Sequence, residues 1–247
     1  MKGRYERLIK KICPSPHKLF FFSSTDSTNL RAIEYIKSNK AVGGEVFVAK
    51  RQTAGRGTRQ RSFYSDGGLY MSLIVRASDI GKNVTPMAAV CVCRAIDSLY
   101  GTDCKIKWVN DIWLSGKKLC GILCESCIMT DGTASDLIVI GIGINTKTKK
   151  FPAKIADIAT SLYLCGHRRP GNARLLAEIL RSIDTVSPSF MDEYRSRSAI
   201  IGRSVCVSAA DGSKKSGTAL GIDDDGALLL SVNGSTERII HGDVFTV

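Results

Sequence analysis

The stretch Arg51-Gln-Thr-Ala-Gly-Arg-Gly-Thr-Arg-Gln-Arg61 holds two glycines and four arginines and shows no apolar periodicity. It hangs between two strand-like runs, Gly44–Lys50 and Gly68–Arg76. Glycine lets backbone approach a ligand closely, and guanidinium groups clamp carboxylate and phosphate oxygens in pairs. A basic glycine loop held between two strands therefore reads as a cover over an anionic substrate. Taken alone it reads equally well as a solvated surface loop, so the segments around it must decide.

Hydrophobic residues make up 44% of the 247 and charged residues 23%, which excludes a disordered chain and leaves room for one large domain or a large and a small one. No segment approaches the roughly 18 consecutive apolar residues of a membrane span. The basic start, Met1 to Lys11, is not followed by an apolar core of signal-peptide length. A cytoplasmic protein is expected. Nine cysteines, most inside apolar runs such as Cys91 and Cys93 or Cys120 and Cys124, fit buried free thiols in a reducing compartment. Cys120, Cys124 and Cys127 lack a second ligand pair, and none of His17, His167 and His241 is close to them in sequence, so no metal ligands are assigned. The net charge of +12 suits a nucleic acid or an acidic protein partner, but its spread along the chain weakens the first.

Leu19–Phe22 reads as a buried strand. Ser27–Lys37 reads as a helix with Ser27 or a neighbour as N-cap and a stripe of Leu30, Ile33 and Ile36. A second helix starts near Thr85 with Pro86 in its first turn and runs to about Tyr100. Strands follow over Cys104–Trp108, Ile112–Leu114, Leu119–Ile128 and Asp136–Ile144, the last two joined by a turn at Thr130–Thr133. Asn172–Arg197 is helical with a break at Ser187-Pro-Ser189. After Gly202, short strands alternate with Asp211-Gly, Asp225-Gly and Asn233-Gly pairs, the pattern of a small barrel. The expected fold is α+β: a mixed, mostly antiparallel sheet with packed helices over residues 1–199, then a small barrel over 200–247.

Four segments stand out: Ser27-Thr-Asn29, the Gly55-Arg-Gly loop, Lys107-Trp-Val-Asn-Asp111 with Lys117-Lys-Leu-Cys-Gly121, and Gly141-Ile-Gly-Ile-Asn145. In this order and spacing they resemble the biotin protein ligase family, and the C-terminal segment resembles that family's SH3-like barrel. The resemblance runs from about Phe20 to the C-terminus. It implies the catalytic fold shared by biotin and lipoate ligases, which is similar to that of class II aminoacyl-tRNA synthetases. It also implies a two-step reaction. Biotin and ATP give biotinyl-5′-AMP and pyrophosphate with Mg²⁺, and biotin then passes to a lysine of a biotin carboxyl carrier domain.

By that resemblance Ser27, Thr28 and Asn29 hydrogen-bond the ureido ring of biotin, with Gln52 as a further ring contact; Ser27 can equally be a cap, and Gln52 a solvated amide. Gly55 and Gly57 allow close approach, while Arg56 and Arg61 hold the biotin carboxylate and ATP phosphates. Arg59 receives no role. Phe63 stands where the family commonly has an adenine-packing tryptophan, although a core role fits it nearly as well. Lys118 contacts the carboxylate and the α-phosphate, and Lys117 is a solvated turn residue. Asp111 anchors the acceptor lysine or its proton, or serves only the turn. Gly121 makes room for a group packed over its strand, and Asn145 contacts adenine or metal-bound phosphate. Thr58, Gln60 and Val109 depart from the residues common in the family.

A lipoate–protein ligase is the nearest alternative, and a nucleic-acid-binding regulator is a remote one, since only about 22 residues precede the catalytic-type segment, too few for a helix-turn-helix. No DNA or membrane partner is expected; an acidic carrier domain suits the basic balance, and pairing of two copies through sheet edges is possible. Ligand is expected to order the 51–61 loop, which has little of its own to pack against.

Overall fold

The structure, a computed structural model, describes residues 2–209 and 211–246. Alternation along its strands builds the main sheet. In β2 (Glu45–Ala49), Val46 and Val48 face a large core and Phe47 a small one on the opposite face. β3 (Leu69–Arg76) divides Leu69, Met71 and Leu73 from Ile74 in the same way, and β7 (Ala134–Ile144) divides Ile140, Ile142 and Ile144 from Val139. The sheet runs β1 (Lys18–Phe22), β2, β3, β7, β6 (Lys117–Ile128), β5 (Asp111–Leu114), β4 (Lys105–Lys107). Only β1 and β2 pair in parallel, so the mixed, mostly antiparallel expectation holds.

Helix α4 (Val84–Tyr100) carries Pro86 in its first turn and ends on the left-handed Gly101. It lies on the large-core face and is covered in turn by α5 (Asn172–Asp184) and α6 (Phe190–Ser196). A short α3 (Ala77–Ile80) follows β3. Helix α1 (Lys2–Ile12) is a feature the sequence reading missed: only Tyr5 and Ile9, one turn apart, are buried, and the surrounding charge masks them.

Two further expectations need correction. In Leu19–Phe22 only Leu19 is buried, because β1 is an edge strand. In α2 (Thr28–Lys37) the buried residues are Thr28, Asn29, Ala32 and Ile36; of the expected stripe Ile36 is buried and Ile33 packs against the small core, but Leu30 is only half-buried and the polar Thr28 and Asn29 turn inward with Ala32. Its polar first turn faces the sheet because polar partners and glycines wait there, as described below.

The C-terminal strands β8 (Ser204–Ser208), β9 (Lys214–Ile222), β10 (Leu228–Val232), β11 (Ser235–Ile239) and β12 (Asp243–Thr246) form one antiparallel sheet in the order β11-β10-β9-β8-β12. Asn233 and Gly234 both take positive φ, as a two-residue hairpin turn requires. β12 was not anticipated, being four residues long. This unit is pinned to the rest by Trp108 Nε1 donating to Gly226 O (2.9 Å) and Arg195 Nε donating to Ile222 O (2.7 Å).

Arg197 closes the helical layer. It donates to Asp97 Oδ2 at 2.6 Å and Glu193 Oε1 at 2.8 Å, and all three side chains are less than a third exposed. Burial alone would raise the Glu193 carboxyl, but hydrogen bonds from Arg94 and Arg197 outweigh it and hold the group below its ordinary value. A depressed carboxylate stabilises the fold above its unfolded value, about 4.3, and that gain disappears as pH falls through the folded value. Arg197→Met is expected to cost about 2 kcal/mol at neutral pH, less than a fully buried pair because water reaches this one. Calorimetry should show Tm lower by about 4–8 °C, with the gap to wild type narrowing below about pH 4.

Candidate active site

The small-core face of the sheet carries three glycines side by side. Gly121 of β6 pairs with Gly143 of β7, and Leu123 of β6 pairs with Gly141. Without side chains they form a floor, and larger groups lie on it. A Cβ on Gly141 would stand 2.7 Å from Asn29 Cγ, and one on Gly143 would stand 2.7 Å from Phe63 Cε1. One on Gly121 would stand 3.2 Å from Phe63 Cε2. The group packed over Gly121 is thus Phe63 of this chain.

Asn29 is fixed from several sides. Its Nδ2 donates to Leu123 O (3.2 Å) and Glu125 Oε2 (2.7 Å), and Ser72 Oγ lies 2.5 Å from its Oδ1. Ser72 Oγ is also 2.8 Å from Thr28 Oγ1, which donates to Gln52 Oε1 at 3.1 Å. Gln52 Oε1 accepts the Thr28 backbone N–H (2.8 Å), and Gln52 Nε2 donates to Ser65 Oγ (3.1 Å). Gln52 thus caps α2 from outside, a structural duty beyond a solvated amide. Ser27 occupies the N-cap position, but its side chain makes no capping bond.

Lys118 reaches this face through a bulge. Pairing of β5 with β6 shifts between Ile112 and Trp113, where Asp111 opposes Gly121 and Trp113 opposes Lys118. Leu119 and Cys120 consequently both point into the large core, fully buried, and Lys118 falls on the same face as Gly121. Strict alternation would have put those two on opposite faces. Lys118 Nζ lies 2.7 Å from Asp111 Oδ1. Lys117 points elsewhere, its Nζ 3.4 Å from Ala156 O.

One cavity of about 230 Å³ is lined by Ser27, Thr28, Asn29, Gln52, Arg56, Gly57, Arg61, Phe63, Lys118, Gly121 and Asn145, which were anticipated, and by Thr58, Gly141 and Gly143. Gly55 and Asp111 stand behind this lining. A Cβ on Gly55 would lie 2.5 Å from Ser65 Oγ, so that glycine serves the packing of the loop. Asn145 Nδ2 donates to Thr160 O (3.1 Å), whereas its buried Oδ1 has no partner among the described residues. The Trp108–Val109 peptide beside the site is cis.

Three of the four loop arginines meet a carboxylate. Arg56 Nη2 is 3.0 Å from Glu125 Oε1. Arg59 and Arg61 take the two oxygens of Asp243, at 2.9 and 2.6 Å, and Arg59 also donates to Ser208 O at 2.9 Å. The 51–61 loop is therefore tied to the C-terminal sheet and closed internally by Gly57 N–H to Arg61 O (2.7 Å), where sequence suggested a segment with little to pack against. Ser65, Ser72, Glu125 and Asp243 escaped the sequence reading. The only signal for Ser72 and Glu125 was a polar residue within an otherwise apolar strand.

Overpacking at the floor should be costly because Asn29 is held too firmly to give way. Gly141→Ala is expected to lose about 1–3 kcal/mol, read by urea unfolding. Gly221→Ala, where an added Cβ meets nothing within 4 Å, should change stability much less.

Comparison with known proteins agrees with this geometry. The biotin/lipoate A/B protein ligase family matches residues 21–145, and the biotin protein ligase C-terminal domain matches residues 200–247. The bifunctional ligase/repressor BirA of Bacillus subtilis is 35% identical over 240 residues, covering 92% of this chain and 73% of that protein. A biotin--[acetyl-CoA-carboxylase] ligase of Mycobacterium tuberculosis is 30% identical over 238 residues, covering 90% of this chain and 86% of that protein. Among solved structures, the biotin protein ligase from Aquifex aeolicus in complex with biotin and ATP superposes with a TM-score of 0.79 at 25% identity, covering 93% of this chain and 98% of that one. With half of its length inside the first match, the chain belongs to the biotin/lipoate A/B protein ligase family.

Proposed function

We infer that this chain is an ATP-dependent biotin–protein ligase. It joins biotin to the adenylyl group of ATP, releases pyrophosphate, and passes biotin to a lysine of a biotin carboxyl carrier domain. The observation that carries this reading is the single cavity in which buried polar residues of α2, the cations Arg56 and Lys118 and a glycine floor converge. The division into a catalytic unit, 1–199, and a C-terminal barrel unit, 200–247, belongs to the same reading and is supported by the separate sheets.

The hydrogen-bond inventory favours biotin over lipoate. After the bonds above, the Ser27 hydroxyl and one Gln52 Nε2 hydrogen are free to meet a ligand. A ureido ring offers donors and an acceptor to match them. A dithiolane offers neither and would leave them buried unpaired.

Both reacting partners are anions, so the protein must lower their repulsion and align them. In this reading Lys118, which lines the cavity, bridges the carboxylate and the α-phosphate, with Asp111 holding its ammonium. Arg56 supplies a second cation, and an incoming carboxylate competes for it with Glu125. A carboxylate oxygen attacks the α-phosphorus as the bond to pyrophosphate breaks. The acceptor amine then attacks the acyl carbon, AMP leaves, and Asp111 lies near enough to Lys118 to take part in relaying the amine proton. Phe63 on its glycine shelf offers a ring face to adenine. Among the described residues lining the cavity no side chain is a carboxylate, so Mg²⁺ fits as an ion carried by ATP phosphates and water, with Asn145 Oδ1 the available protein acceptor for it or for adenine. Bound there, Mg²⁺ would neutralise phosphate charge. The basic balance of the chain suits an acidic carrier domain, and the repressor half of the relatives' names stays with those relatives.

Pyrophosphate release from ATP and Mg²⁺ with biotin, lipoate or neither tests the reading. Release should require biotin, with biotinyl-adenylate seen by mass spectrometry; release with lipoate alone would move the substrate to the rival. Lys118→Gln should lower adenylate formation about 10²- to 10³-fold. Asp111→Asn should slow transfer from preformed adenylate more than adenylate formation. Equal losses in both steps would reduce Asp111 to a holder of Lys118.

A further inference from the structure

Cys13, His17 and Asp184 each bring a ligand atom within 4.8 Å of the others, at the end of the sheet away from the cavity. Cys13 follows α1, His17 precedes β1, and Asp184 ends α5. The His17 and Asp184 side chains are only 4% and 8% exposed. Both ring nitrogens face acceptors. Nδ1 is 3.3 Å from Gly44 O, and Nε2 is 3.2 and 3.1 Å from the two Asp184 oxygens.

A neutral imidazole has one N–H, so one nitrogen lone pair would point at oxygen. With the proton on Nδ1 and bonded to Gly44 O, Nε2 is oriented as a metal ligand, and a cation beside it removes the clash. Cys13 Sγ makes only a 3.4 Å contact to Ala177 O.

We propose that Cys13, His17 and Asp184 form a site for a zinc-like divalent cation, with thiolate, imidazole and carboxylate as ligands and water in the fourth position. Sulfur and nitrogen in the set select zinc over magnesium or calcium. A groove lined by Ser15, Pro16, Gly43 and Gly44 opens beside it and provides an entry path. β1 and β2 begin here and run parallel, and the cavity segments leave from their far ends, roughly 17 Å away. The cation therefore ties α1 and α5 to the sheet and takes no part in ligation. Binding expels the Cys13 proton and stabilises the folded chain.

The test uses the full chain stripped with a chelator and titrated with Co²⁺, then Zn²⁺. One Co²⁺ per chain should give a thiolate-to-cobalt charge-transfer absorption that Zn²⁺ displaces. Zinc at a hundredfold excess over its Kd should raise Tm by roughly 5–10 °C. Cys13→Ser should lose the absorption and the Tm shift, whereas Cys206→Ser in β8 should keep both. A folded wild type without the absorption or the shift, or an absorption that survives in Cys13→Ser, would overturn the site.

Discussion

One chain of polar contacts organises the site: Ser65 to Gln52, Gln52 to Thr28, Thr28 to Ser72, Ser72 to Asn29, Asn29 to Glu125, Glu125 to Arg56. It joins the loop after β2, the start of α2 and strands β3 and β6 in a single network. A buried polar group costs roughly twice as much unpaired as a made bond returns, so such a network stands or falls together. The rotation of α2 follows from it. Turning Leu30 further inward would bury more hydrocarbon, but it would strand Ser72 and Glu125 and pull Asn29 off Gly141. At the helix start the apolar residue yields to the polar network, while Ile33 and Ile36 keep their place on the small core, and the first turn of α2 becomes a wall of the cavity.

A second constraint is the bulge in β6. Lys118 and Gly121 are three residues apart, and a regular strand would set them on opposite faces. Placing Leu119 and Cys120 together in the core absorbs one residue and brings the ammonium over the glycine floor. The motif Lys117-Lys-Leu-Cys-Gly121 was legible as a string, and the choice of Lys118 over Lys117 was legible with it. The geometry that makes Lys118 useful was not, because a bulge is a property of pairing between two strands and leaves no mark in one.

The same distinction explains the rest of what the sequence did and did not reveal. Strand order within the hairpins, the Pro86 start of α4 and the break at Ser187–Ser189 depend on local chemistry, and they were visible. So were many of the residues that line the cavity, since short motifs carry them, although its wall of Phe151, Ile155, Ile158 and Ala159 was not. Ser72, Glu125 and Asp243 act through partners remote in sequence, such as Asn29, 43 residues from Ser72 and 96 from Glu125, and the two arginines more than 180 residues from Asp243, and nothing near them in sequence announces that. The helix α1 hides for the converse reason: two buried residues in eleven are too few to stand out from a basic segment.

The division of the loop arginines follows from where counter-charge is available. Arg56, which lines the cavity, is paired with Glu125 of β6 behind the lining, and Arg59 and Arg61 with one carboxylate on β12. Two guanidiniums on one aspartate repel each other, and the arrangement lasts because Asp243 offers each a separate oxygen and Ser208 O takes a further hydrogen from Arg59. These pairs are partly exposed, so individually they are weak and yield to a phosphate of higher charge. Together with the Trp108 and Arg195 bonds they make the position of the loop depend on the C-terminal sheet. A loop built mainly of glycine, arginine and small polar residues has almost no apolar anchor of its own. Its anchor is the neighbouring sheet, and that is the physical reason for the small C-terminal unit to sit beside the cavity.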